Sequence, residues 1–209
     1  SWRTGLADMG VIAGLPRTMI LDLSKILGGS HEVRIRSNRT LYYDQIWLAD
    51  SVQRLDPDAK TAERSALHVN TAPLRSAQLR WLGYPRRFLP DGKLPEIFKY
   101  SEIVQQADWG THAGLLTRYG DVLPLLGSPD DQFVVTEHGE EIALSFDGRG
   151  WPAVHPGWRR TFFFYSNGFT KGYELYSGES ETVDTLPFQA MRSYPPRGET
   201  YPADEQHIR

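Results

Sequence analysis

The clearest local pattern in this chain has a period of two, which fits a strand with one buried face and excludes a helix there. Ile142, Leu144 and Phe146 alternate with Glu141, Ala143 and Ser145. Just upstream, Phe133-Val134-Val135-Thr136 leads into Glu137-His138-Gly139-Glu140. The segment from Phe133 to Phe146 therefore reads as a β-hairpin, with one face toward water and Gly139 taking the positive φ of its turn. Similar strand-sized runs occur at Arg17–Leu23, Glu32–Arg36, Leu41–Leu48, Ala66–Asn70, Ala77–Leu82, Gln132–Thr136 and Thr161–Tyr165. Asp91-Gly92, Asp147-Gly148 and Asn167-Gly168 punctuate them as turns, because glycine accepts positive φ without a Cβ clash. The pattern predicts an all-β fold, a two-layer antiparallel β-sandwich in jelly-roll order with long loops after Leu48 and Leu82.

Helix is expected only at Ala59–Leu67 and at Ser101–Ala107, where Ser101 would cap two turns. Between Leu82 and Lys99, Pro85, Pro90 and Pro95 leave little room for pairing, so this stretch reads as a covering loop. Arg86 and Arg87 lie there beside Phe88, as solvated charges or, in the competing reading, as a clamp for a carboxylate or other anion. From about residue 157 the chain is aromatic and proline-rich, including Thr161-Phe-Phe-Phe-Tyr165 and Leu186-Pro-Phe188. Such a segment clads a sheet or meets a partner, since exposed aromatics are costly and proline backbone does not pair with itself. The 209 residues fit one domain of this type.

Net charge is -3, from 23 basic and 26 acidic residues, which offers a phosphate backbone no attraction and argues against a nucleic-acid partner. No apolar run approaches the roughly 20 residues that cross a bilayer as a helix. There is no cysteine, which removes disulfides, thiolate nucleophiles and Cys-based zinc sites. The same absence points toward a bacterial extracytoplasmic domain rather than a small secreted animal module. Position 1 is Ser, and no charged-then-apolar leader follows, so a processed product or an excerpt of a longer protein is expected.

Reactive chemistry leaves little trace. No P-loop, dinucleotide glycine fingerprint, His-Glu-x-x-His or Gly-x-Ser-x-Gly motif occurs. His31, His68, His112, His138, His155 and His207 lie too far apart for local metal-ligand spacing. Met9, Met19 and Met191 would have to serve with these histidines in any haem or redox role, whereas methionine in strands is mostly core filler. The doublets Asp130-Asp131, Glu140-Glu141 and Asp204-Glu205 are not glycosidase pairs, because neighbours on a strand point to opposite faces. Asp130 and Asp131 follow Pro129 and read as turn formers, with calcium ligation the competing role. Asn38-Arg39-Thr40 is a glycosylation sequon that matters only in a eukaryotic secretory setting. In Arg118-Tyr119-Gly120-Asp121, Arg118 and Asp121 are placed to pair across a turn or to capture a ligand.

Several stretches resemble the C-terminal region of large FG-GAP/VCBS-repeat proteins of the ASPIC/UnbV type, which often carry tetratricopeptide repeats. They are Ala13-Gly-Leu-Pro-Arg-Thr18, Val33-Arg-Ile-Arg-Ser-Asn38, Thr117-Arg-Tyr-Gly-Asp-Val-Leu-Pro-Leu-Leu126 and Asp130-Asp-Gln-Phe-Val-Val135. Gly157-Trp158, Phe164-Tyr-Ser166, Leu186-Pro-Phe188 and Tyr201-Pro202 continue the resemblance. It implies an extracytoplasmic accessory β domain that follows a repeat propeller, with no catalytic residue and no cofactor to carry over. The similar proteins tend to have an Asp-rich loop after the equivalent of Ser166-Asn167-Gly168, where this chain reads Phe169-Thr-Lys-Gly-Tyr-Glu-Leu175. The loop lacks the several oxygen ligands that a hard cation needs. The similar proteins also run on past the equivalent of Asp204-Glu-Gln-His207.

Three functions compete. The first is a non-catalytic interaction domain that docks on a neighbouring propeller domain or other protein subunit through an exposed patch. Trp158, Phe169, Tyr173, Tyr176 and Tyr194 are its candidates, with Arg118, Asp121 and Asp131 as polar ligand or interface candidates. The second is a carbohydrate-binding module, with Trp47 and Trp109 as the sugar platform and a glycan as partner. The third is a redox or metal-binding subunit that gathers ligands from distant strands.

Overall fold

The computed structural model describes residues 2–7, 9, 10, 17–27, 32–54, 67–106, 110–156, 158–171, 180–186, 188, 190–193, 196–201 and 205–209. Among them are eleven strands, three short 3-10 turns and no α-helix. In chain order the strands are β1 (Arg17–Asp22), β2 (Glu32–Arg36), β3 (Thr40–Arg54), β4 (Leu67–Ala72), β5 (Leu74–Trp81) and β6 (Tyr84–Phe88). They continue with β7 (Ile97–Val104), β8 (Gly120–Asp121), β9 (Val134–Thr136), β10 (Glu140–Phe146) and β11 (Trp158–Lys171).

All strand pairs within the sheets are antiparallel. The first sheet runs β1-β11-β3-β4, with β9 paired to the other end of β3, and the second runs β2-β10-β5-β8. Setting aside β4 and the separate β6-β7 ribbon, the chain visits the two sheets in the order first, second, first, second, second, first, second, first. That is the path of a jelly roll, in which successive strands build opposite layers. Its core lies between the sheets. Ile46, Leu48, Phe162 and Phe164 face it from the first, and Ile35, Leu79, Ile142, Leu144 and Phe146 from the second. Phe146 and Phe164 meet edge to face across the gap, with ring centroids 6.3 Å apart.

The jelly-roll path corrects the expected hairpin. Gly139 does take positive φ, at 85°, but β9 pairs with β3 and β10 pairs with β2 and β5. Glu137-His138-Gly139 therefore carries the chain from one layer to the other. The period-two pattern placed Ile142, Leu144 and Phe146 on a buried face correctly, but alternation does not say which strand lies alongside. In the outward phase Ala143 and Ser145 are half-buried, but Glu141 is wholly buried, roofed by arginines from the neighbouring strands.

Four further expectations change. Ser101–Val104 belongs to β7, and residues 59–66 of the other helix lie outside the described residues. The proline-rich stretch forms the β6-β7 ribbon, in which Pro85 sits beside a register shift, where its missing N–H is tolerated. No loop begins after Leu48, since β3 runs on to Arg54. Asn167-Gly168 is no turn either: β11 continues through it, and opposite it β3 bulges outward by one residue, Asp44.

Gly168 is required there for space rather than for φ. An added Cβ would stand 1.9 Å from the Tyr42 carbonyl oxygen. Gly168→Ala should lower unfolding free energy by about 3 kcal/mol or more, since rigid backbone has to move to admit the methyl group. Gly127, with nothing within 4 Å of the added atom, is the control; Gly127→Ala should change stability by less than about 1 kcal/mol. Urea unfolding of both variants against the parent checks the contrast.

Candidate functional site

Where the chain crosses between sheets, polar side chains are drawn into the interior. Glu137 and Glu140 flank the crossing, and both are buried. Thr40 opens β3 beside them, and His112 reaches in from the long connection between β7 and β8. Thr40 Oγ1 donates to Glu137 Oε1 at 3.0 Å and lies 2.7 Å from His112 Nδ1. The His112 backbone N–H also reaches Glu137 Oε1 at 3.2 Å, and its Nδ1 stands 3.1 Å from the same oxygen. Glu140 Oε2 accepts the Glu137 backbone N–H at 3.0 Å, while its Oε1 accepts the Tyr119 hydroxyl at 2.9 Å and Arg209.

Burial sets the electrostatics here. It pushes the Glu137 carboxyl up, against the opposing pull of His112 and Thr40. Burial is also the main reason that His138 is pushed down to about 4, with the charges of His112 and Arg39 acting in the same sense. Tyr119 is pushed up to about 12 by burial and then by the Glu140 charge. Each carboxylate is held by hydrogen bonds from several segments, an arrangement that fixes loops. Nearby, a cavity of about 20 Å³ between Thr117, Phe133, Leu186 and Tyr201 has room for one water molecule rather than a substrate. Among the described residues, no three His, Asp or Glu side chains converge as metal ligands.

The outer face of the first sheet is different in kind. Tyr165 and Trp47 lie directly opposite one another on β11 and β3, stacked at 3.6 Å with planes 4° apart. Ile20 on β1 is the next residue in that row, and 54 % of its surface is exposed. Phe163 and Ala49 form the row beside it, between Asp22 on β1 and Thr71 on β4, and Val69 on β4, 58 % exposed, stands one row further on opposite Ser51. Toward the other end, the same face is covered by the chain itself. There Tyr42 stacks on Phe169 at 4.2 Å, and Val183, Leu186 and Tyr201 pack over them.

The sequence-derived candidates scatter across these regions. Trp47 is on the open face, whereas Phe169 is under the covered half and Trp158 is half-buried at the start of β11. Trp109, Tyr173, Tyr176 and Tyr194 lie outside the described residues. Arg118 and Asp121 do not pair. Arg118 is held to the C-terminal segment, its backbone N–H on the His207 carbonyl at 2.7 Å and its Nε on Ile208 at 3.2 Å. Asp121 instead accepts the Leu123 backbone N–H at 3.0 Å, starting the 3-10 turn that follows. Asp131 is half-buried and offers its carbonyl to the Tyr201 hydroxyl. Asp130 receives Gln132 N–H and Ser128 hydroxyl bonds within its own turn. On the ribbon, Arg86 pairs with Glu102 at 2.9 Å and Arg87 with Glu96 at 3.5 Å.

Two clusters escaped the sequence. Nothing local marks His112 as a neighbour of Glu137, because 25 residues separate them. Glu140, however, is in phase with Ile142 and Leu144, so alternation already put one carboxylate of the doublet on the inner face. Comparison with protein-family models, curated proteins and solved structures returned no match.

His138 generates a pH test. Above pH 6.5 its neutral form suits both folded and unfolded chains. Below that, the unfolded chain binds a proton that the folded one refuses until about pH 4, so roughly 3 kcal/mol of stability is lost across the window. Asp44 acts in the opposite direction: burial pushes it up to about 6, so its contribution is present at low pH and lost as pH rises through 6. The two offset each other in the parent protein. His138→Gln removes only the first, so its stability should fall less between pH 6.5 and 4.5 than the parent's. Parallel stability profiles in urea would refute this assignment.

Proposed function

We propose that this chain is a non-catalytic accessory β-sandwich domain of a larger extracytoplasmic protein, acting by contact through the open half of its first sheet. The observation that carries this reading is the contrast between the two halves of one sheet face. One half is covered by the chain's own C-terminal residues, and the other leaves Ile20 more than half exposed beside stacked Tyr165 and Trp47, with Val69 also more than half exposed two rows further on, opposite Ser51. Exposed apolar and aromatic surface of this kind favours a protein contact, with aromatics supplying most of the energy. Glu137 and Glu140 are hydrogen-bonded within their own cluster, and the cavities nearby are of water size. The resemblance to FG-GAP/VCBS-repeat proteins supports a neighbouring propeller domain as the covering partner.

A glycan platform is the competing use of Trp47. Sugar stacking needs an open ring face, and one face of Trp47 is taken by Tyr165. This favours the protein contact.

Co-purification from the native source, followed by mass spectrometry of the intact assembly, tests the proposal. The double variant Ile20→Glu, Val69→Glu should keep its fold, because both side chains are exposed, and should lose the partner at least tenfold. Retention of the same partner at unchanged stoichiometry would overturn the proposed surface. Affinity electrophoresis in polysaccharide gels provides the other arm: retardation that disappears in Trp47→Ala would move the assignment to carbohydrate.

A further inference from the structure

We propose that the outer face of the second sheet carries a site for a tetrahedral oxyanion, formed by Arg34, Arg36 and Arg80 around the buried carboxylate of Glu141. Glu141 lies on β10 in direct register with Arg36 on β2 and Arg80 on β5. Arg36 Nε donates to its Oε2 at 2.7 Å, and Arg80 donates to Oε1 from Nε at 2.9 Å and Nη2 at 2.5 Å. These bonds occupy both carboxylate oxygens, and either guanidinium alone neutralises the charge. A third arginine is not needed to hold Glu141.

Arg34 is nevertheless there. Its Nε stands 3.6 Å from Glu141 Oε1, beyond hydrogen-bonding reach, and is buried with no hydrogen-bond partner. The Trp2 ring covers its guanidinium at 3.6 Å, which holds the cation in place without neutralising it. Burial, Arg80 and Arg36 disfavour the Arg34 cation, while Glu141 and Glu32 favour it. Glu32 is exposed, two residues back on β2, so solvent screens its field at Arg34. Arg34, Arg36 and Arg80 keep 23 %, 26 % and 45 % of their side-chain surfaces open. Arg36 also donates Nη1 to the Tyr100 carbonyl at 2.6 Å, and the open surface of the three side chains keeps them within reach of an anion from solvent. The adjoining row, Arg34-Ala143-Gln78, has only a methyl group at its centre, which leaves room above the sheet.

Guanidinium groups arriving from two strands suit an anion with several acceptor oxygens, such as sulfate or phosphate, either free or carried on a sugar. The chain is acidic overall, so a local excess of arginine is not the reflection of a basic surface.

Isothermal titration at constant ionic strength, using inorganic sulfate, inorganic phosphate and a phosphorylated monosaccharide, tests the site. One saturable event per chain is expected with at least one of them. Arg34→Gln leaves the hydrogen bonds of Glu141 in place and should weaken binding at least tenfold. Arg159→Gln, exposed on the other sheet, should bind like the parent. If Arg34→Gln fails to fold by circular dichroism, Trp2→Leu replaces it, with a severalfold weakening expected. Tighter binding of the sugar phosphate identifies a glycan-borne group, and equal binding a free ion. No saturable heat with any probe, or an unaltered affinity in the Arg34 or Trp2 variant, would overturn the proposal.

Discussion

The crossing at Glu137–Glu140 is the constraint on which this sandwich depends. A chain that leaves one layer and joins the other must take its turn through the interior edge of the core, where unpaired backbone and carboxylate groups are costly. Here two glutamates enter with it, and their partners come from far apart in the chain: Thr40 at the head of β3, His112, Tyr119 and the terminal Arg209. The Leu82 and Gly83 backbone N–H groups close on the Gly139 carbonyl at 3.0 Å, so the end of β5 is tied to the same point. Removing any one donor would leave a buried carboxylate short of a partner, at a cost of about 1 to 3 kcal/mol. The network holds the two layers in register at that end, while the apolar core holds them along their length.

Much of the fold was legible because alternation and glycine placement are local. The windows at Glu32–Arg36 and Glu141–Phe146 coincide with strands to within a residue, and the positive φ of Gly139 follows from its turn. Pairing partners were not legible, since period two assigns a face and leaves the neighbour open. Phe133–Phe146 looked like a hairpin for that reason. Asn167-Gly168 misled in another way. Glycine marks close backbone approach as well as turns, and here Tyr42 of the neighbouring strand takes the space of the absent Cβ. Ser101–Ala107 had helix-compatible residues, yet Ser101–Val104 pairs as part of a ribbon, where tertiary context outweighs weak propensity.

The polar clusters were harder to foresee than the strands. Glu140-Glu141 is a doublet whose members face opposite ways, as strand geometry demands, yet both are buried. One is buried by the crossing, and the other because long arginine side chains from β2 and β5 fold over it. The stems of such residues cover surface while their heads stay hydrated. Exposure inferred from residue type therefore fails on the middle strand of a sheet, where cross-strand neighbours stand on both sides.

The two outer faces of the sandwich consequently differ in chemistry although both are built on the same alternation. On the first sheet the outward phase sets Ile20, Tyr165, Trp47 and Phe163 among polar neighbours such as Asp22 and Thr71, and the C-terminal segment covers only the half around Tyr42 and Phe169. On the second, the outward phase holds arginines around one carboxylate. A contact on the first face would gain from removing apolar area from water, so it should strengthen with added kosmotropic salt. One on the second would exchange hydration for charge-assisted hydrogen bonds, and salt would weaken it by screening. Ionic strength thus separates the two faces without altering a residue, which allows each to be assigned while the other is left intact.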